Sequence, residues 1–313
     1  MKEVYSFKSA DGISTIHGVK WTPDEGRPIA VLQITHGMVE YIERYTEFAE
    51  YLNSRGIAVM GHDHIGHGHS VDKEEDWGVM HHRNPSDCMI EDMMTNYLEV
   101  EKAFSGIPHF MLGHSMGSYM LRKFLCEKAD KIGTCKGAIV MGTGTESDVA
   151  ISMGLALIKV MAIFKGWSHR SSMIAGMTQG AAYKEFDTTG KEPERSWLSK
   201  NVENVRAYYQ DPMCTYQFSL SGYKGLLEAC LYDNKPANIA KMRKDMPVLV
   251  VSGANDPVGN LGEGVRQAYQ KFCDAGLSDV TISLYEDDRH EILNELDRAD
   301  VYNDLYDWMM SRI

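Results

Sequence analysis

The sequence predicts an α/β fold with a mostly parallel, mixed sheet and helices on both faces, and three observations indicate it. Short runs of β-branched and apolar residues alternate with amphipathic stretches, which is the pattern of strand–helix–strand crossovers. The 313 residues are 43% hydrophobic and 24% charged, as in ordinary globular proteins. The alternation is interrupted once, between residues 145 and 245, and then resumes. An α/β core that carries one insertion is therefore predicted.

Seven runs are candidate strands because each is short, β-rich and bounded by turn-forming residues. They cover residues 15–21, 29–35, 57–62, 107–112, 137–141, 248–252 and 280–285. The runs on either side of Asp11-Gly12 are predicted to form a hairpin, which adds an antiparallel edge to the sheet.

Five amphipathic stretches between the strands are the candidate core helices. They cover residues 44–54, 85–104, 116–128, 262–275 and 298–310. The interrupting segment is rich in Met and Gly and contains no convincing strand. Because the strand–helix pattern resumes at Met246, we predict one core from residues 1–144 and 246–313, and a helical cap from residues 145–245.

Charge, hydrophobicity and cysteine content limit the partners and the location that can be expected. The chain carries 32 Lys and Arg against 44 Asp and Glu, a net charge of -12, which disfavours nucleic acid. The sequence contains no run of about 20 consecutive apolar residues, so no membrane span is predicted. Residues 1–21 lack the apolar core of a signal peptide. The six cysteines form no C-x-x-C pair, so we expect free thiols and a cytoplasmic location. The oligomeric state is left open.

The sequence Gly113-His114-Ser115-Met116-Gly117 follows a predicted strand and precedes a predicted helix. A serine on such a sharp turn projects an exposed hydroxyl at the amino end of the helix, where developing negative charge is favoured. The flanking glycines are needed because side chains there would collide with the strand and the helix. Ser115 is therefore the candidate nucleophile.

A serine nucleophile requires a histidine as base and a carboxylate that orients the histidine. Asp256 and His290 both follow late strands, in the chain order serine, acid, histidine that this strand–turn–helix arrangement favours. Asp287 and Asp288 are rival acids, but they share a loop with His290, and we expect them to be solvated. Asp256 and His290 complete the predicted triad.

Acyl transfer also needs N–H donors for the oxyanion. The residue after the nucleophile, Met116, supplies one backbone N–H, and Met38 in the loop after an early strand is the candidate for the second. A metal alternative comes from the histidine-rich tract at residues 62–69. It lacks the aspartate of the H-x-H-x-D-H pattern, since Gly66 stands there, so no metal and no cofactor are predicted.

These ordered motifs resemble the α/β-hydrolase superfamily, and within it the lysophospholipase and monoacylglycerol lipase branch that is grouped with serine aminopeptidases. The resemblance covers nearly the whole chain. It rests on residues 36–40 with Arg44-Tyr45, 63–68 with Ser70, the turn at Ser115, Asp211-Pro212, 253–258 and 289–295.

The resemblance implies an α/β-hydrolase fold with a helical cap, the triad Ser115, Asp256 and His290, and an oxyanion hole from Met38 and Met116. It also implies that Glu40 and Arg44 lie near the polar end of the substrate. The alternative is that these two side chains form a salt bridge that stiffens the loop. The sequence departs from the family at Tyr41, where a histidine is usual.

The predicted cap contains an apolar stretch at residues 149–164, too short to span a bilayer. We interpret one face of it as packing and another, with Leu155 and Ile158, as the lining of an acyl pocket. Methionine-rich apolar surfaces suit flexible chains. The same stretch predicts transient contact with a lipid surface.

The leading hypothesis is a serine hydrolase that cleaves carboxylic esters of small amphiphiles, of lysophospholipid or monoacylglycerol type, through an acyl-enzyme. An aminopeptidase is an alternative that needs cap carboxylates for an α-amino group, and the candidates are Glu185, Asp187, Glu192 and Glu194. A short-chain or aromatic-acid esterase is another. A non-catalytic binding protein is disfavoured by the complete triad.

Overall fold

The computed structural model describes residues 1–80 and 83–313. Within them, one sheet holds eight strands in the order β1-β2-β4-β3-β5-β6-β7-β8. The strands are β1 (Lys2–Lys8), β2 (Thr15–Trp21), β3 (Ala30–Thr35), β4 (Ile57–His62), β5 (His109–His114), β6 (Cys135–Met141), β7 (Val248–Gly253) and β8 (Val280–Tyr285). β1 and β2 pair antiparallel, β2 joins β4 antiparallel, and the other pairings are parallel. The predicted fold class is confirmed.

The predicted strands differ from the observed ones mainly at their ends. The run predicted at 107–112 begins at His109 and continues to His114. Pro108 has no N–H for the ladder and lies outside the strand, where its carbonyl accepts from the Val31 N–H. Ser115 therefore follows the last residue of β5 directly.

Helices cover both faces of the sheet. The core helices are α1 (Thr46–Asn53), α2 (Pro85–Ala103), α3 (Met116–Glu127), α9 (Glu263–Asp274) and α10 (Arg298–Met310). Side chains of α1 and α10 pack with Leu32, Leu112 and Val251 in one cluster. Side chains of α2, α3 and α9 pack with Met111 and Val250 in another. Neighbouring residues of a strand face opposite layers, so strands buried on both faces are continuously apolar.

The segment between β6 and β7 contains α4 (Asp148–Lys165), α5 (Ser172–Met177), α6 (Val202–Gln210), α7 (Leu220–Asp233) and α8 (Pro236–Ile239). Among the described residues of this segment, the β-type hydrogen bonding consists of two isolated β-bridges, Arg170 with Ser219 and Asp187 with Ser196. Helix α7 packs against α4 and also against α2 and α3 of the core. The boundaries of this segment as a separate cap stay a prediction.

Close packing at the turn after β5 explains its glycines. A Cβ on Gly117 would lie 2.1 Å from the Thr35 carbonyl oxygen, and one on Gly113 would lie 2.4 Å from the Gly117 oxygen. Helix α3 thus approaches β3 and β5 more closely than a residue with a side chain allows.

No helix in residues 1–80 and 83–313 has both the length and the apolar character needed to cross a bilayer.

Candidate active site

Ser115 lies on a strained turn between β5 and α3. Its backbone has φ 52° and ψ -122°, a combination that a residue with a side chain rarely adopts. The Ser115 N–H donates to the Met141 carbonyl at 3.0 Å, which ties the turn to the end of β6. The side chain is half-buried and lines a cavity of about 1060 Å³.

Asp256 and His290 form a buried pair at the ends of β7 and β8. His290 Nδ1 lies 2.9 Å from Asp256 Oδ2, and this carboxylate also accepts from Ser252 Oγ at 3.0 Å and from the Val258 N–H at 2.8 Å. Because an ionised carboxylate only accepts, we assign the ring proton to Nδ1, which leaves Nε2 as an acceptor. His290 lines the same cavity as Ser115.

Asp288 differs from its prediction. The sequence suggested a solvated side chain, but Asp288 is fully buried and lies 3.0 Å from the Lys200 ammonium. Burial raises the pKa of Asp288 to about 6, although the hydrogen bond from Lys200 opposes the rise. The hydrogen bond of His290 goes to Asp256.

The loop after β3 lies against the nucleophile. A Cβ on Gly37 would lie 2.9 Å from Ser115 Cβ. Val39 has φ 57°, the second strained residue of the site. Met38 and Met116 line the cavity beside Ser115, and Met116 begins α3, where N–H groups have no acceptor within the helix. Their role as oxyanion donors stays a prediction.

Glu40 holds the loop after β3 in place through hydrogen bonds. Its carboxylate accepts from the Gly37 N–H and from Tyr45 Oη at 3.0 Å, and it lies 3.0 Å from His114 Nδ1. Burial alone would raise the pKa of Glu40, but the His114 hydrogen bond and the nearby Arg44 charge hold it well below its usual range. Burial would lower the pKa of His114, and the hydrogen bond with Glu40 outweighs it, so the pKa is raised.

Arg44 contacts two carboxylates. Its guanidinium lies 3.0 Å from Glu40 Oε2 and donates to Glu291 through both terminal nitrogens, with Nη2 at 2.8 Å. Burial raises and Arg44 lowers the pKa of Glu291, and the net direction is down. Among the described residues that line the large cavity, Glu40 is present and Arg44 is not. The salt bridge of the alternative is therefore present, and a substrate contact of Arg44 stays a prediction.

The cavity wall has an apolar and a polar part. Helices α4, α5 and α7 contribute apolar residues, among them Ile151, Ile158, Ile174, Leu226 and Leu227. Residues 188–191 and 206–217 contribute mostly polar ones, including Thr188, Lys191, Arg206 and Gln210. Ile158 was predicted to line the cavity and does. Leu155 does not appear among the described residues of the lining, although it packs in the same apolar cluster as Ile158, and its role in an acyl pocket stays a prediction.

The four cap carboxylates considered for an aminopeptidase, Glu185, Asp187, Glu192 and Glu194, are absent from the described lining of the cavity. Asp187 accepts from the Thr189 and Glu192 N–H groups, which makes it part of a local turn. Glu146 does line the cavity, and burial raises the pKa of its carboxyl group.

The histidine-rich tract is part of the interior of the core. The His64 N–H donates to His36 Nε2 at 2.9 Å, and the rings of His36 and His67 lie 5.2 Å apart. Burial lowers the pKa of His64 to about 4 and that of His67 to about 3, so both are neutral at pH 7. Within residues 1–80 and 83–313, no group of three potential ligands is arranged to hold a metal ion.

Sequence reasoning missed three residues of this site. Glu291 had a signal, because it stands next to His290 in the motif at residues 289–295. Glu146 and Trp197 had none, since they lie in the segment with the weakest motif match. The Trp197 ring lies 5.1 Å from the His290 ring, tilted by 31°.

The ion-pair network predicts a pH-dependent penalty for Arg44→Met. Removing the guanidinium takes the shared cation away from two buried carboxylates, which keep only their other hydrogen-bond partners, and should lower the free energy of unfolding by about 3–5 kcal/mol at pH 7. In the wild type, the lowered pKa values of Glu40 and Glu291 stabilise the fold above the ordinary glutamate pKa of 4.5, and this is lost as the pH falls through the lowered values. In the variant both carboxyls protonate more readily, so the penalty should shrink between pH 7 and 5 in urea titrations.

Arg55→Met is the matched control, because Arg55 is exposed and lies over the Tyr51 ring at 4.0 Å. It should cost less than about 1 kcal/mol at both pH values. Equal penalties for the two variants, or a penalty for Arg44→Met that does not change with pH, would contradict the network.

A monoglyceride lipase homolog of monkeypox virus is 26% identical over 292 residues, covering 91% of both chains. A monoacylglycerol lipase of Mycolicibacterium smegmatis is 25% identical, covering 99% of this chain and 97% of the relative. A thermostable carboxyl esterase from Bacillus coagulans, solved with glycerol, superposes with a TM-score of 0.89 at 24% identity, covering 99% and 98% of the two chains.

The likeness to the solved esterase concerns the fold, which agrees with the sheet order and the turn at Ser115. A family model described as serine aminopeptidase, S33, matches residues 26–297. That range includes all three residues of the predicted triad and the segment between β6 and β7. The chain therefore belongs to the serine aminopeptidase S33 family of α/β hydrolases.

Proposed function

We propose that this protein hydrolyses carboxylic esters of small amphiphiles, of the monoacylglycerol or lysophospholipid type. One observation carries the proposal: His290 lies on the wall of the cavity that also exposes the strained Ser115, and its Nδ1 lies 2.9 Å from Oδ2 of the buried Asp256. A base whose tautomer is set by a buried carboxylate, next to a serine at a helix start, suits nucleophilic acyl transfer. Relatives named monoacylglycerol and monoglyceride lipases support the ester class.

In the proposed mechanism, Ser115 Oγ attacks the ester carbonyl carbon while His290 Nε2 takes the hydroxyl proton. The carbonyl oxygen becomes an oxyanion and accepts from the backbone N–H groups of Met38 and Met116. Collapse breaks the bond to the alcohol, which leaves with the proton from His290. A water then attacks the acyl-enzyme carbonyl while His290 Nε2 takes its proton; collapse breaks the bond to Ser115 Oγ, which regains the proton from His290, and frees the carboxylic acid.

Several features support an acyl chain as one part of the substrate. The cavity of about 1060 Å³ is at the upper end of the usual range for small-molecule sites. Its apolar wall comes from α4, α5 and α7, which belong to residues 145–245, the proposed cap. Ile158 is fully buried and lines that wall. We assign the acyl chain to this wall and the head group to the polar residues of the segment 188–217.

Exposed apolar side chains on the outer faces of α4 and α5 support contact with a lipid surface. Met153, Ile163 and Phe164 on α4 are 65%, 78% and 81% exposed, and Met173 and Met177 on α5 are also exposed. Apolar side chains that project from helices beside a substrate cavity gain free energy when they leave water for a lipid interface. We propose that this face contacts lipid transiently.

We also propose a cytoplasmic location, because all six cysteines are free thiols.

Aminopeptidase activity is a second candidate, and one observation favours it. Glu146 places a carboxyl group in the cavity wall, and an α-amino group on a substrate needs such an anion. Relative turnover of acyl esters and aminoacyl-arylamides decides between the two activities.

Ser115→Ala should abolish ester turnover and labelling by a fluorophosphonate probe, because it removes the hydroxyl that acts as nucleophile in the proposed mechanism. Purified protein is tested against p-nitrophenyl esters of graded chain length, monoacylglycerols, lysophospholipids and aminoacyl-arylamides. The control is Ser152→Ala, an exposed serine on α4, which should retain labelling and turnover. Labelling that persists in Ser115→Ala, or turnover confined to the arylamides, would contradict the ester proposal.

Ile158→Trp should fill the apolar part of the cavity and shorten the acyl chain that the enzyme accepts. We expect kcat/KM for long-chain esters to fall by about tenfold or more, and that for acetate or butyrate esters to change by less than about threefold, since burying a few methylenes is worth that much. Ile163→Trp, on the exposed face of the same helix, is the control and should change neither value. Equal losses on short and long esters from Ile158→Trp would argue against the acyl assignment.

The double variant Ile163→Ser, Phe164→Ser should lower turnover of a long-chain monoacylglycerol presented in phosphatidylcholine vesicles by about tenfold, because it removes apolar area from the lipid-facing surface. Turnover of a soluble short-chain ester should stay unchanged. Leu98→Ser replaces an exposed leucine on α2 and should affect neither assay. Unchanged vesicle activity and vesicle binding in the double variant would rule out this surface.

A further inference from the structure

A cap segment is attached to the loop that carries His290. We call residues 194–204 the strap and residues 288–295 the histidine loop. The Glu291 N–H donates to the Leu198 carbonyl at 2.8 Å. The Arg289 guanidinium donates to three strap carbonyls, those of Glu194, Ser196 and Ser199. The residues on both sides of His290 are thus hydrogen-bonded to the strap.

Charged side chains of the histidine loop complete the attachment. The fully buried Glu295 carboxylate accepts from the Lys200 N–H and from Ser199 Oγ, each at 2.9 Å, and from the Arg289 N–H at 3.0 Å. Lys200 Nζ lies 3.0 Å from buried Asp288. The buried Glu295 carboxylate is thus satisfied by donors from both segments, and the Lys200–Asp288 ion pair adds a further link between the strap and the histidine loop.

Trp197 is the strap residue that reaches the base. Its neighbours Ser196 and Leu198 are both held by the histidine loop, and its Nε1–H donates to Tyr209 Oη at 3.2 Å. The Tyr183 ring lies 5.8 Å from the Trp197 ring. These contacts hold the indole 5.1 Å from the His290 imidazole, with 31° between the planes.

The environment of the imidazole contains other ionisable groups. Asp256 is on Nδ1, and the His114 ring lies 4.8 Å from the His290 ring with its Nε2 3.3 Å from the His290 carbonyl. Behind His114 are Glu40, Arg44 and Glu291, which pair with one another. Trp197 and Tyr183 contribute uncharged aromatic surface from the cap side.

We propose that Trp197 is a positioning residue for catalysis: held by the strap, its indole orients the His290 imidazole and stabilises the imidazolium that forms when His290 takes the Ser115 proton. This inference rests on the proposed function. A cation within about 6 Å of an indole centroid is attracted to the ring. The histidine is charged in the transition states and not in the resting triad, so the interaction lowers the barrier and raises kcat more than it changes KM.

The test compares Trp197→Leu, Trp197→Phe and wild type on a short-chain soluble ester. We expect Trp197→Leu to lower kcat by about 3- to 30-fold, the range that a cation–π contact supplies, with KM changed by less than about threefold. The acidic limb of the kcat/KM profile should move to lower pH, because the protonated imidazole loses its aromatic partner. Trp197→Phe keeps a ring face and should lie between wild type and Trp197→Leu.

Trp77→Leu is the matched control. Trp77 is also half-buried and stacked on a tyrosine, with its ring 5.9 Å from the Tyr216 ring, but it donates to the Gly68 carbonyl and does not contact His290. Its replacement should leave kcat and the pH profile unchanged. A fall in kcat without movement of the acidic limb in Trp197→Leu, or the same movement in Trp77→Leu, overturns the inference.

If Trp197→Leu does not fold, fluorinated tryptophans provide the test, because they preserve the shape of the side chain. Each added fluorine weakens the negative face of the indole with little change of shape, so kcat should fall stepwise in wild type and stay constant in the Trp197→Phe background. A constant kcat in wild type overturns the inference. An NMR titration of the His290 ring protons gives a readout without turnover: the midpoint should move to lower pH with fluorination. If wild type hydrolyses no ester, the proposed function fails, and this titration still decides the role of Trp197.

Discussion

The buried guanidinium of Arg44 is the interaction on which the rest of the site depends. It pairs with Glu40 in the loop after β3 and with Glu291 beside His290, two residues that are far apart in the chain. Through Glu40 it reaches the Gly37 N–H and the His114 ring on β5. Through Glu291 it reaches Asn204 in the segment between β6 and β7, whose amide donates at 2.8 Å. One cation thus connects the predicted oxyanion loop, the nucleophile strand, the histidine loop and the cap.

Such a network is costly, since each of its charges has left water. Its stabilising effect is conditional, because the desolvation is offset only while all partners are present. What the arrangement supplies is geometry. Val39 and Ser115 hold strained positive φ angles on either side of the predicted oxyanion site, and strain of this kind persists only where the surroundings over-determine the backbone. The Glu40 hydrogen bond to Gly37 and the packing of Gly117 under β3 provide that constraint.

The segment between β6 and β7 is joined to the core in two ways. Helix α7 packs on α2 and α3 through apolar side chains, whereas the strap is attached to the histidine loop through hydrogen bonds and charges. Helix α7 also contributes side chains to the wall of the cavity. The hydrogen-bonded contact joins the strap to the residues on both sides of His290. A segment that the sequence suggested as a cover over the substrate is therefore also hydrogen-bonded to the loop that carries His290.

The local parts of this site were predictable from sequence because local rules govern them. A strand, a glycine-flanked serine and a helix specify the turn at Ser115, and loops after parallel strands converge at one sheet edge, where Asp256 and His290 lie within hydrogen-bond distance. Their catalytic roles stay a prediction. The strands were predicted to within a few residues for the same reason.

Other assignments depended on distances between segments remote in sequence. Arg44 was expected near the substrate and is paired with Glu291, Leu155 was expected in the cavity wall and is absent from its described lining, and Asp288 was expected in solvent and is buried beside Lys200. Trp197 carried no motif at all. The sequence by itself determined the fold class and the order and placement of the predicted triad, because these follow from periodicity and turn chemistry within short windows. Only the tertiary structure decided which charges pair and which cap residues reach His290, because burial and partner choice are set by packing across the whole chain.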